Sequence, residues 1–173
     1  MPTEQYAEYI KQTDDSWVKQ HPETGIEQIT DIFPTMRFSL GETKYLSPTT
    51  NIPLTKAEMV VGNQKFGEIA GERIKINQAG LFLITTSMWI EKVPNQTTLV
   101  QLLLEAGGLD IGSSNVSRWS DKAIVTYTTL KTLQAGQKIY LHTDNEYAIA
   151  NPSYKATFPA NKISITLMLL RGE

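Results

Sequence analysis

Cysteine is absent from the 173-residue chain, which excludes disulfides, thiolate metal sites and a cysteine nucleophile. Histidine is nearly absent as well. Only His21 and His142 occur, so a three-imidazole metal centre is impossible. No run approaches the ~18 apolar residues of a membrane-spanning helix. The amino terminus, MPTEQYAEYIK, carries early acids and no apolar segment of a secretion signal. The expectation is a chain made and folded in the cytosol, without membrane insertion, unless a non-classical route carries it out. A net charge of -2 and the lack of any dense Lys/Arg cluster remove the electrostatic basis for binding nucleic acid.

Catalytic patterns are missing too. There is no G-x-S-x-G elbow, and Ser113-Ser114 has no histidine near it in sequence. The glycine-rich piece AGGLDIG lacks the lysine of a phosphate loop and opens no helix. Glu91, Glu105, Asp110, Asp121, Asp144 and Glu146 supply carboxylates, but no spacing singles out a glycan-hydrolysing pair. Asp144-Asn145-Glu146 lacks the spacing of a calcium loop. No cofactor and no metal is called for, and a carbohydrate-active enzyme is the third of three functional readings.

What is present is a strong period of two. From Leu81 onward the even positions Phe82, Ile84, Thr86, Met88 and Ile90 form one apolar face. The odd positions Leu81, Leu83, Thr85, Ser87 and Trp89 carry no charge, so the second face is expected to pack on something as well, often another subunit. Further strands follow from Met36, Phe38 and Leu40, and from Val100, Leu102 and Leu104. Others follow from the threonine-rich run 123–133, from Ile139, Leu141 and Thr143, and from Ile163, Ile165, Leu167 and Leu169. Pro48 and Pro53 confine residues 44–63 to an edge or broken strand. About seven to nine strands joined by hairpins and longer loops predict an all-β, antiparallel sandwich.

A short α-helix is predicted in front of it, over residues 3–20. Thr3 is its cap, and Tyr6, Ile10, Thr13 and Trp17 form a narrow stripe. A lone helix of that length is marginal in water, so docking on a neighbour is expected. The chain then divides into a helix-and-linker anchoring segment, 1–35, and a sandwich, 36–173. Two long loops are predicted, 108–122 with Trp119 and 144–159 with Tyr147, Tyr154 and Phe158; Trp119 is either a pin or a contact.

The order of these pieces resembles the jelly-roll superfamily of tumour necrosis factor and the complement head. The run NQAGLFLITTSMWI carries Gly80 and Phe82 of its glycine-aromatic strand, although Gln78 or Ala79 replaces the usual proline. LVQLLLEAGG resembles the next strand. TLKTLQAGQKIYLHT keeps Leu133, Ala135, Gly136 and Ile139, with Gln137 where an acid is common, and TFPANKISITLMLL resembles the closing strand without its phenylalanine-glycine pair. The match spans residues 36–171 in degenerate motifs. It implies a TNF-like jelly roll without enzymatic activity that forms a homotrimer. The trimer-contact candidates are Leu81, Phe82, Leu83, Trp89, Tyr140, His142 and Met168, and the loop-contact candidates are Trp119, Asn145, Tyr147 and Tyr154.

A jelly roll with a short leading helix, no cysteine and no secretion signal also resembles bacteriophage appendages such as head fibres, capsid decoration and tail proteins. That resemblance implies a virion component assembled in host cytoplasm. Tyr6, Ile10 and Trp17 would anchor it to other virion proteins, and its loops would meet a host-surface protein or glycan. The alternative is an extracellular TNF-like ligand module that binds a protein or glycan receptor.

Overall fold

The period-two runs form long strands because each can bury one face while its backbone is satisfied by neighbours on both edges. The computed structural model describes residues 9–11, 17–19, 33–91, 98–105, 109–116 and 122–172. Its elements are β1 (Tyr9–Lys11), β2 (Trp17–Lys19), β3 (Thr35–Ser39), β4 (Lys44–Leu46), β5 (Thr50–Asn51), β6 (Lys56–Val61), β7 (Gly67–Ala70) and β8 (Arg73–Ile76). They continue with β9 (Gly80–Glu91), β10 (Thr98–Leu104), β11 (Leu109–Val116), β12 (Lys122–Leu133), β13 (Lys138–Asn145), α1 (Glu146–Ala150), β14 (Ala156–Phe158) and β15 (Ser164–Gly172).

Two antiparallel sheets pack face to face as a jelly roll. One runs β4-β14-β9-β15-β3-β6, with β12 on the other edge of β9; the second runs β11-β10-β13-β8-β7, with β5 also paired to β13. β9 is the axis of the first sheet, paired over its whole length with β12 and from Gly80 to Ser87 with β15. Its even residues point inward, where Phe82, Ile84, Met88 and Ile90 join Phe38, Leu102, Leu141, Phe158 and Leu167 in one core. The Phe66 and Phe82 rings meet at 5.4 Å. Each such side chain contributes roughly 1.5–3 kcal/mol by leaving water, which is why this face dictates the register. Gly80 is required where β15 bulges between Leu169 and Arg171. A Cβ there would lie 2.4 Å from the Arg171 carbonyl oxygen.

Four expectations are corrected. Phe82 is fully buried inside its own chain (0 % exposed), so it belongs to the core and is not a contact residue. The helix expected over residues 3–20 is not formed where the chain is described: β1 and β2 pair antiparallel, with Ile10 opposite Val18 and Lys11 opposite Trp17. Tyr9, Ile10, Trp17 and Val18 are β-branched or aromatic and favour a ladder over a narrow helical stripe. Tyr6 lies outside the described residues. The loop expected over 108–122 contains a strand instead, since β11 pairs along the whole of β10. The loop expected over 144–159 opens with a helical turn, α1, and returns as β14, whose Phe158 is core.

Candidate functional site

The two outer faces of the sandwich differ in charge. On the six-stranded sheet the outward positions carry Glu68, Lys75, Arg73 and Lys138, tied by ion pairs, and Asp144, which accepts from the Thr49 hydroxyl at 3.2 Å. Lys75 Nζ lies 3.0 Å from Glu68, and Glu105 takes both Arg73 Nε at 2.8 Å and Lys138 Nζ at 3.2 Å. The Arg73 guanidinium covers the Tyr140 ring at 4.5 Å. Leu99 and Leu103 share this face beside Asp144 and Tyr140, so it mixes apolar side chains with its ion pairs.

The outward face of the seven-stranded sheet is built differently. Register places its residues in rows across β12, β9 and β15: Leu130, Leu83 and Met168; then Thr128, Thr85 and Thr166; then Thr126, Ser87 and Ser164. Ile124 and Trp89 form the row beyond. Two apolar bands thus flank a band of hydroxyls, within which Thr85 and Thr128 share a hydrogen bond of 3.2 Å. On these three strands the outward charges stand only at the ends, Glu91 opposite Lys122 at one and Arg171 beside Leu81 at the other. Ile124 and Leu130 are 60 % and 55 % exposed. The charges of this face lie beyond β15, where Arg37 on β3 and Lys56 and Glu58 on β6 form ion pairs. Apolar side chains arranged this way on three charge-poor strands mark an interaction surface.

The contact candidates therefore divide. Leu81, Leu83, Trp89 and Met168 share the charge-poor face, with Lys122 and Lys162 ammonium groups 5.7 and 5.4 Å from the Trp89 ring centre. Tyr140 and His142 stand on the opposite side of the molecule, on β13. One flat surface cannot include both sets. Ile124 and Leu130 were missed in the sequence because four threonines dilute the apolar signal of β12; their placement four and two residues from Thr128 on its own face was the available clue.

Among the loop candidates, Asn145 is 1 % exposed and is a structural residue. Its side chain caps α1 by accepting from the Ala148 amide at 3.2 Å, and its Nδ2 donates to Thr98 Oγ1 at 3.0 Å. Tyr147 lies in α1, Tyr154 is half-buried in a largely exposed stretch before β14, and Trp119 lies outside the described residues.

His142 Nδ1 is 2.8 Å from Asn51 Oδ1. Burial lowers its pKa from the ordinary value of 6.5, only partly opposed by the nearby Asp144 carboxylate. A lowered folded-state pKa means that the unfolded chain takes the proton first. His142 thus leaves stability intact above about pH 6.5 and removes part of it as the pH falls through that value. In thermal melts the wild type is expected to lose stability between pH 7.5 and 5.5 by more than a His142→Gln variant, and parallel losses would refute this assignment. Because His142 is remote from the charge-poor face, self-association should not follow the same titration. Among the described residues no group of three His, Asp or Glu is placed to hold a metal ion.

No protein-family model matches the chain, and no curated protein matches it in sequence. Solved structures do match in fold. GITRL from bushbaby is 18 % identical, with 81 % of this chain and 96 % of that one covered at a TM-score of 0.50. Eiger TNF from S. frugiperda is 11 % identical, with coverages of 80 % and 92 % and a TM-score of 0.60. Murine APRIL at pH 5.0 is 14 % identical, with coverages of 80 % and 99 % and a TM-score of 0.58. At these identities the likeness carries the architecture alone, and the chain is similar to tumour-necrosis-factor proteins in its antiparallel jelly roll.

Proposed function

We propose that the chain is a non-enzymatic, TNF-like ligand module that acts outside the cell as a homotrimer and binds a protein or glycan receptor. The observation that carries this reading is the uncharged middle of the outer face of β12, β9 and β15, with Ile124 and Leu130 more than half exposed on it. A second copy supplies a matching surface, because the same apolar and hydroxyl bands recur on every protomer. Leu81, Leu83, Trp89 and Met168 are the contact residues in this reading, joined by Ile124 and Leu130. The opposite face, with Tyr140 and His142, stays in water.

The segment that joins β13 to β14, residues 146–155, at the Glu91 end of the sandwich, is proposed to meet the receptor together with Trp119. Residues 1–35, with Tyr6, Ile10 and Trp17, are proposed as a tether. The virion placement gains no support from the similar structures, whereas the shared fold favours the receptor-binding alternative.

Three copies present three identical loop sets, so weak single contacts multiply. Binding to a panel of cell surfaces and immobilised glycans should be saturable for the wild type. It should weaken by about 10²- to 10⁴-fold for a monomeric variant such as Leu83→Lys. Absence of saturable binding across the panel, or turnover of a glycan abolished by one carboxylate substitution, would contradict the reading.

A further inference from the structure

At the Gly80 end of the charge-poor face, Thr132, Leu81 and Arg171 stand in one row across β12, β9 and β15. Together with Gly172 they line a cavity of about 320 Å³. The cavity owes its shape to the β15 bulge between Leu169 and Arg171. Gly80 lacks the side chain that would collide with the bulged backbone, and β15 bends there instead of lying flat on β9. Its volume falls within the range of small-molecule sites, near the lower end.

The lining has a definite chemistry. Leu81 gives an apolar wall, Thr132 a hydroxyl, and Arg171 a guanidinium with five donors in a fixed fork. Arg37 and Arg73 each have a glutamate carboxylate within 4 Å, at Glu58 and Glu105 respectively. Arg171 has none among the described residues. An arginine beside an apolar wall, with no counter-ion among the described residues, matches an anion that brings its own apolar body. A carboxylate satisfies the fork in bidentate fashion while its hydrocarbon covers Leu81. Inorganic phosphate would satisfy the fork and leave the leucine wet.

We propose that this cavity is a binding site for small organic monocarboxylates, with Arg171 holding the carboxylate and Leu81 the apolar body. All four lining residues come from one protomer, but Leu81 is also a contact residue of the trimer proposed above. The site is therefore assigned to the single chain and is tested on the Leu83→Lys protein, in which copies do not close over this face.

The test is a titration of the full-length Leu83→Lys protein, with and without Arg171→Gln, using benzoate and hexanoate and read by amide shifts of Leu81, Thr132 and Gly172. Benzyl alcohol, hexanol and inorganic phosphate are the controls. Arg171→Gln, an exposed substitution that leaves the core untouched, should weaken carboxylate binding by roughly 10- to 100-fold, the range for one charge-assisted contact. The alcohols and phosphate should bind far more weakly than the carboxylates. Equal binding by the Arg171→Gln protein, equal binding of the alcohols, or no saturable shift in the Leu83→Lys protein would each overturn the assignment.

Discussion

Leu83→Lys is expected to turn the protein into a folded monomer. Leu83 lies mid-row between Leu130 and Met168, on the outward side of β9. In the isolated protomer a lysine there reaches water, so the fold should lose no more than about 0.5 kcal/mol, as for most surface substitutions. In an assembly built on this face the same ammonium is desolvated next to its symmetry mates, without a carboxylate on the neighbouring rows of β12, β9 and β15 to receive it. An uncompensated buried charge costs about 3–5 kcal/mol, which weakens association by roughly 10²- to 10⁴-fold. The variant should keep its near-ultraviolet dichroism and elute at the volume of a single chain. Unchanged elution would show that the face is not the contact.

Phe82→Ala, one residue away, should do the opposite. Its ring is fully buried and touches Phe66 at 5.4 Å, so truncation removes apolar contact and leaves a cavity between the sheets. Such substitutions cost about 3–5 kcal/mol. In a domain of this size that corresponds to a drop of roughly 6–20 °C in melting temperature. The measurement belongs in the Leu83→Lys background, because dissociation coupled to unfolding would otherwise make stability depend on concentration. A large loss of stability at Phe82 with little at Leu83, and a large loss of association at Leu83 alone, is the expected pattern. A Phe82→Ala protein that melts like its parent would mean that the two faces of β9 have been assigned the wrong way round.

That contrast shows what the sequence makes legible. Strict alternation marks β9, β13 and β15 because each buries one whole side, and the core residues Phe82, Ile84, Met88, Ile139, Leu141 and Leu167 follow from it. Alternation does not say which sheet a strand enters. Tyr140 and Leu83 look equally amphipathic in sequence, yet β13 and β9 belong to different sheets, and their outer faces point away from each other. Strand β11 is hidden for another reason. At the edge of its sheet it pairs with β10 alone, so LDIGSSNV can be polar and still form a ladder. Gly112 is set there by the Tyr127 ring, which would stand 2.8 Å from an added Cβ and whose hydroxyl donates to the Gly112 carbonyl. Asn145 reads as a polar loop residue because its partners, Thr98 and the Ala148 amide, meet it only in the folded chain. The spacing of Ile10, Thr13 and Trp17 fits a helix, while the β-branched and aromatic character of Tyr9, Ile10, Trp17 and Val18 favours a hairpin, so spacing alone misleads here.

The central claim is that copies of this chain close over the outer face of β12, β9 and β15. Sedimentation equilibrium of the purified full-length protein, across a hundredfold concentration range, tests it most directly. The account predicts a single species of three times the 19.4 kDa chain mass, reduced to one chain by Leu83→Lys. A wild-type protein that sediments at one chain mass throughout would contradict it.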